Sequence, residues 1–334
     1  MLDLDDRVIG EIDGVTGGNL QHSASTTVKQ GGSLEVVDVD GIDWLHARVK
    51  VWRHVGDLKW SRGVYIPSAP MDRWVDGQMI WDVELQGKLS LLSQDEVADW
   101  VEVPEGTLVT GFVTDYLHSL GHENLRITES DLRLRTGRAF APGTTSLHIL
   151  NDLLDSISYW GMQAGLDGYL EAKPYVRPAD RPARYHFVNG ENCIYLDDLK
   201  KENPLYKVPN RFLVFQTEES ERPPLVGVAE NLDPDSPFSI PNRGVIAERE
   251  ENSDLATKPE LDARARTRLL ERMSNNANVE LQHAPLPLEL NEAITLERSG
   301  TSIQGLHTVQ SMTESLVFDA DIQTTVREVA RIGQ

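Results

Sequence analysis

The chain has 334 residues, 40% of them hydrophobic, with 32 Lys and Arg set against 53 Asp and Glu, a net charge of -21. That length supports two or three domains with a sizeable core. The acidic balance excludes a general nucleic-acid-binding surface, which needs clustered cations, and the single cysteine, Cys193, excludes an intrachain disulfide and a Cys-based zinc site.

The N-terminus, MLDLDDRVIG, lacks the basic start and apolar core of a signal peptide. No stretch approaches the roughly 18 apolar residues of a membrane span. Both features point to assembly in a cytoplasm.

Residues 1–103 read as β-rich. Gly17-Gly18 and Gly31-Gly32 punctuate the start. Strands are predicted at Ser33–Val39, His46–Val55, Trp60–Ile66 and Met79–Leu85. In the second of these, Ala47, Val49 and Val51 share one face and Arg48, Lys50 and Trp52 the other. Six of the seven tryptophans (44, 52, 60, 74, 81 and 100) fall in this segment. Such residues usually serve a core or a subunit interface.

Residues 104–204 change texture. The stretch GTLVTGFVTDYLHSLG from Gly106 is followed, at an offset of 37, by GTTSLHILNDLLDSIS from Gly143. Gly, Thr, Asp, Leu and Ser recur in register. Thr144 or Thr145 can cap the second helix, and Leu147, Leu150, Leu153, Leu154 and Ile157 share one face of it. A strand follows the first helix at Asn124–Thr128. A hairpin, Trp160–Ala164 and Tyr169–Tyr175, follows the second and turns at Asp167-Gly168. A duplicated helix–strand unit in a small α/β domain accounts for both, as do two helices with similar caps. Prolines 174, 178, 182 and 204 then break the chain into turns.

Residues 205–334 return to strands, at Arg211–Gln216, Leu225–Ala229, Val279–Gln282, Ala293–Arg298, Leu306–Met312 and Thr324–Ala330, with one helix. Thr257 and Glu260 form a capping box around Pro259 at its start. Arg264, Arg266, Arg268 and Arg272 decorate it, as a solvated face or as partners for the acidic excess. The expected fold class is α+β, β-dominated.

No Walker A loop, GxSxG elbow, HExxH or GxGxxG occurs. His118 and His122 have a four-residue spacing, but Gly121 ends the helix between them and no third ligand is fixed, so the pair reads as a helix terminus rather than a zinc site. His148 reads as packed or half-exposed. Asn231, Asp233 and Asp235 begin with a calcium-loop rhythm, yet Ser236 and Asn242 stand where Gly and a bidentate Glu are needed. Asp38, Asp40 and Asp43 read as turn residues. Paired carboxylates among 53 acids carry little weight. The sequence therefore assigns no catalytic, cofactor-binding or metal residue, and no cofactor.

Three stretches resemble the hub proteins of tailed-bacteriophage tails, which include baseplate hubs and the N-terminal hub region of tail-associated lysins, among the minor tail proteins. They are WSRGVYIPSAPMDRWVDGQMIWDVELQGKLSLLSQDEV at 60–97, the two helix units, and VPNRFLVFQTE at 208–218 with AENLDPDSPFSIPNRG at 229–244. The resemblance implies a homotrimer at the tail tip of a virion. Two tube-type β-barrel domains, 1–103 and 205–334, would flank an α/β insertion at 104–204. It also implies tail-tube or distal tail, tape-measure, and tail-fibre or receptor-binding partners, and a negative lumen through which DNA slides. Because the chain ends at Gln334, no lysin or sugar-binding domain is expected. The other reading is a glycan-binding or glycan-degrading tail protein, resting on the tryptophans and carboxylates.

Overall fold

The computed structural model describes all residues except 38–40, 192, 203–207, 217–224, 237, 253–256, 275–276 and 330–334. In chain order the first elements are β1 (Val15–Ser23), β2 (Gln30–Val37), β3 (Val49–Val55), β4 (Leu58–Val75), β5 (Gln78–Gly87), α1 (Leu89–Gln94), β6 (Val101–Val103), α2 (Val109–Ser119), β7 (Leu125–Ile127), β8 (Arg138–Phe140), α3 (Ser146–Ser156), β9 (Gln163–Ala164) and β10 (Leu170–Ala172). Then come β11 (Ala183–Phe187), β12 (Lys200–Glu202), β13 (Arg211–Gln216), β14 (Val226–Glu230), α4 (Ile240–Arg243), β15 (Ala247–Asn252), α5 (Lys258–Ser274), β16 (Asn278–His283), β17 (Ala293–Glu297), β18 (Gln304–Ser315) and β19 (Ile322–Glu328). The chain is β-dominated, as expected.

Two units form. The first joins Met1–Val176 with Gln282–Asn291 and Gln310–Thr324, and the second takes the remaining segments. In the first, an antiparallel path runs β18-β1-β2-β5-β4-β3. Its core is Leu20, Leu34, Val36, Trp44, Val49, Tyr65, Val83 and Leu85. The Gly17-Gly18 and Gly31-Gly32 pairs are not punctuation; they lie inside β1 and β2. A Cβ on Gly18 would sit 2.2 Å from Ser33 O, and one on Gly32 2.1 Å from Asn19 O. Only glycine lets the two backbones approach so closely.

The 37-residue echo is a structural duplication. Helices α2 and α3 have 11 residues each, and β6 and β8 stand at the same offset. β6 and β8 pair antiparallel about Glu102↔Ala139, so each copy's strand meets its own equivalent. The bonds beside them are reciprocal. Gly106 N donates to Leu134 O and Gly143 N to Val97 O, at 2.9 and 2.8 Å. Leu134 N donates to Thr107 O and Val97 N to Thr144 O, at 2.9 and 3.0 Å. Each copy thus closes the helix start of the other, and Leu117, Leu147, Leu150, Leu153 and Leu154 are buried between them. The caps differ. Thr145 Oγ1 accepts from His148 N at 3.3 Å, whereas Leu108 offers α2 no side-chain cap.

The hairpin after α3 docks onto the β sheet of the same unit through its turn. Gln30 Nε2 donates to Ala164 O at 2.9 Å, Lys50 Nζ to Asp167 O at 3.1 Å and Lys88 Nζ to Gly168 O at 2.8 Å. Ser61 Oγ donates to Leu166 O. Of the Asp167-Gly168 pair only Gly168 takes a positive φ, +100°.

Under that sheet lies a buried ion pair. Arg62 and Glu314, with side chains 1% and 2% exposed, meet at 2.6 Å, and Arg62 also donates to Leu288 O at 3.1 Å. Tyr65 Oη donates to Arg62 O at 2.8 Å, and His22 Nε2 lies 2.8 Å from Tyr65 Oη. The hydroxyl has already donated its proton, so His22 holds its proton on Nε2.

In the second unit, β13 pairs antiparallel with β14 and parallel with β15. Phe212, Val214 and Ala229 meet Leu261, Ala265 and Leu269 of α5. Glu260 Oε2 accepts from Thr257 N at 3.2 Å, the expected capping contact. Of the helix arginines, Arg264 and Arg268 bind the two oxygens of Glu250 at 2.7 and 2.9 Å, and Arg272 binds Glu248 at 2.9 Å. They partner the acids of β15, while Arg266 stays exposed. Two further strand sets belong here, β11 parallel to β17 and β12 antiparallel to β16. No closed barrel forms among the described residues; β3, for one, pairs with β4 alone and leaves its outer edge open.

Replacing Glu314 with Leu strands a buried guanidinium and is expected to cost about 3–5 kcal/mol in urea unfolding. The double variant Arg62→Met/Glu314→Leu should cost less than Glu314→Leu alone. A single variant within about 1 kcal/mol of wild type would show that the pair is not structural.

Candidate functional site

The most distinctive surface is the far end of the β4–β5 hairpin. β4 pairs with β3 only from Leu58 to Tyr65, and with β5 from Tyr65 to Val75. Beyond Tyr65 one edge of β4 has no partner strand among the described residues. Pro67 and Pro70, which cannot donate to a ladder, sit on this stretch, and a register shift falls between Pro67 and Ala69. The turn is Asp76-Gly77 with φ of +51° and +86°, the mirror-image geometry that suits strand twist. From Ser68 to Val75 every residue is exposed except Arg73, which is half-buried.

The arm carries apolar surface. Met71 is 58% exposed, Trp74 70% and Val75 41%. Arg73 stiffens it by binding Asp82 at 2.6 Å across the hairpin and Glu35 of β2 at 2.8 Å. A second exposed corner, at the β3–β4 turn, holds Trp52, Val55 and Leu58. There Lys50 and Lys59 lie over the Trp52 ring, 4.9 and 4.6 Å from its centre. Trp44 and Trp81 belong to the core instead, 6.0 Å apart. The tryptophans of this segment thus divide between core and surface. A stiff backbone, large apolar side chains and an open edge form the kind of patch that marks an interaction surface.

The residues singled out in the sequence do not converge. His118 lies 3.9 Å from Glu123, and His122 lines a separate cavity. Thr145 caps α3 at His148 N, and the His148 ring packs edge-on to Phe140. Asn231 donates to Ser236 Oγ at 2.9 Å and accepts from Asp233 N, while Asp235 N binds Asp233. That loop satisfies itself as a turn. Asp43 accepts from Leu45 N, His46 N and the His46 ring, as a turn residue should. Asp38 and Asp40 lie outside the described residues. No group of three or more His, Cys, Asp or Glu able to hold a metal occurs among the described residues. Among the described residues no helix is long and apolar enough to cross a membrane. The Asp76-Gly77 dipeptide was the signal in the sequence that could have located the arm's tip.

No protein-family model and no curated protein matches the chain. Solved structures do. The tail protein of Neisseria meningitidis MC58 superposes with a TM-score of 0.71 at 10% identity, over 95% of this chain and 92% of that one. The 43 kDa tail protein of prophage MuSo2 from Shewanella oneidensis gives 0.68 at 9% identity, over 94% of each chain. Prophage tail protein gp18 of Listeria monocytogenes EGD-e gives 0.64 at 9%, over 98% and 93%. The fold is that of phage tail proteins, along nearly the whole chain.

Buried imidazoles give the first unit a pH dependence. Burial, aided by the nearby Arg62 charge, pushes His22 down to about 3. Burial also lowers His283, whose Nε2 lies 2.8 Å from Thr324 Oγ1. The folded protein keeps both neutral, whereas the unfolded chain takes up protons near 6.5. Stability is therefore retained above that value and lost as pH falls below it. His22 alone should remove about 2 kcal/mol between pH 7 and 5. Urea unfolding at the two pH values checks this, with His22→Gln expected to flatten the loss. An equal loss in that variant would contradict the assignment.

Proposed function

We propose that the chain is a structural component of a phage tail tip, a hub of three copies that ends the tail tube and lets DNA pass during infection. The observation that carries this reading is the tail-protein fold, which extends over 95% of the chain in its comparison with the Neisseria protein. The exposed arm supports it, because a stiff apolar hairpin with an open edge suits a permanent contact between subunits.

In this arrangement residues 1–103 and 205–334 supply two tube-type β domains, and 104–204 is the α/β insertion. Three chains then place six such domains in a ring, so a threefold tip continues a sixfold tube. Barrels close across subunits, which covers edges such as those of β3 and β4, and rotational closure makes the ring finite. The ring meets the distal tail or tail-tube protein on one side. Tape-measure protein, tail fibres or receptor-binding proteins are the other partners. The net charge of -21 gives a channel wall that repels phosphates, so DNA passes without being held. The ring works by its shape, not by catalysis, and belongs to the virion after assembly in the host cytoplasm.

Light scattering on the purified chain tests this. The expected mass is that of three copies. Met71→Ser/Trp74→Ser should shift the mass toward one copy. Both positions are exposed, so the unfolding free energy of the separated chain should stay within about 0.5 kcal/mol per substitution. A wild-type monomer at tens-of-micromolar concentration, or a variant that assembles as tightly as wild type, would overturn the arm's role.

A further inference from the structure

A cavity of about 500 Å³ opens in the first unit among the N-terminal turn, Arg48, Lys88 and the end of α2. Its inner polar wall is Asp6, Arg48, Lys88, His122 and Asn124; the exposed Asp5, Arg7 and Glu123 stand at its rim, with leucines and Gly121 between. That volume falls in the range of small-molecule sites. No residue of the arm lines it, and Lys88 is shared with the hairpin contact to Gly168 O.

Two groups in it lack what burial demands. Lys88 Nζ donates to Asp6 Oδ2 at 2.5 Å, and Asn124 Nδ2 donates to the same oxygen at 2.8 Å. Asp6 Oδ1 is buried as well, and no donor reaches it among the described residues. Such an orphan is costly unless something else fills the role. Arg48 is half-buried, and its guanidinium makes no hydrogen bond or ion pair among the described residues. Among the inner charges, Lys88 and Arg48 against Asp6, one positive charge is left over, while at the exposed rim Asp5 pairs with Arg7 and Glu123 lies 3.9 Å from His118.

The duplication supplies an internal control. His122 stands 37 residues before Tyr159, and the preceding backbone bonds match: His122 N donates to Leu117 O at 3.0 Å and Tyr159 N to Leu154 O at 2.9 Å. Tyr159 is 7% exposed and its hydroxyl donates to Thr128 O at 3.1 Å, so the second copy fills this position with core. The first copy puts an imidazole there, facing a cavity. Burial and the charges of Lys88 and Arg48 lower its pKa, which leaves it a neutral N–H donor or acceptor.

We propose that this cavity binds a small oxyanion that retains one proton, of the phosphate class, whose charged oxygens accept from Arg48 and whose O–H donates to Asp6 Oδ1. His122 supplies a further N–H. The surplus cation offsets one of the anion's negative charges, and a retained proton satisfies the orphaned carboxylate oxygen. Sulfate has the same shape and no proton near neutral pH, so it would set an oxygen lone pair against Asp6 Oδ1.

Calorimetric titration of the full chain at constant ionic strength, with inorganic phosphate and then with sulfate, tests the assignment. Phosphate should bind at one site per chain, and sulfate about 10-fold or more weaker. Arg48→Gln should weaken phosphate by about 10-fold or more, while Arg48→Lys, which keeps the charge, should lose less. Circular dichroism verifies that the variants fold; if Arg48→Gln does not, the phosphate-to-sulfate ratio on wild type decides. No phosphate binding at millimolar concentration, equal binding of the two anions, or unchanged affinity in a folded Arg48→Gln would each overturn the proposal.

Discussion

One guanidinium ties together the three chain segments of the first unit. Arg62 lies on β4 in the segment that begins at Met1, its carbonyl partner Leu288 lies in Gln282–Asn291, and its carboxylate partner Glu314 lies in Gln310–Thr324. Arg53 adds a bond to Ala320 O at 2.8 Å and a 3.6 Å contact to Glu314. A buried ion pair of this kind adds little net stability over an apolar substitute. What it supplies is register. An unpaired charge in that core is so costly that β18 is held to one alignment beside β1, the alignment that sets Asn19 opposite Ser315. The sheet that carries the exposed arm depends on that alignment.

The α/β insertion works by a different device. Its two copies exchange backbone bonds across a local pseudo-twofold, so neither helix start is satisfied without the other copy. The second copy then presents the carbonyls of Ala164, Leu166, Asp167 and Gly168 to donors on the sheet. The copies differ at their helix caps, in the hairpin that follows α3, and where His122 stands at the position of the buried Tyr159.

What the sequence revealed was local. The leucine stripe of α3, the Thr145 cap, the Thr257–Glu260 box and the offset of 37 all depend on neighbours within a turn or two, or on direct repetition. The alternation of Ala47, Arg48, Val49 and Lys50 was readable for the same reason. Long-range facts were not. Nothing near Arg62 marks a partner 252 residues away. The glycine pairs in β1 and β2 were misread, because a close approach of two strands and a chain break use the same residue. The sequence reads the arm as strands at Trp60–Ile66 and Met79–Leu85, but its exposure follows from β3 starting only at Val49, opposite Tyr65. Likewise, the arginines of α5 could be read as solvated or paired until the parallel alignment of β15 put Glu248 and Glu250 beside them.

The tail-protein fold, the stiff apolar arm and the strand edges left open among the described residues support the proposed assembly. In the proposed ring, individual side chains matter through the contacts they form between copies. Cryo-electron microscopy of an assembled particle is the most direct measurement. The account predicts three copies of the chain around a central channel at the tail tip, with the β4–β5 arm of each seated on its neighbour. Density for the chain at another position, or as isolated single copies with solvent around the arm, would contradict it.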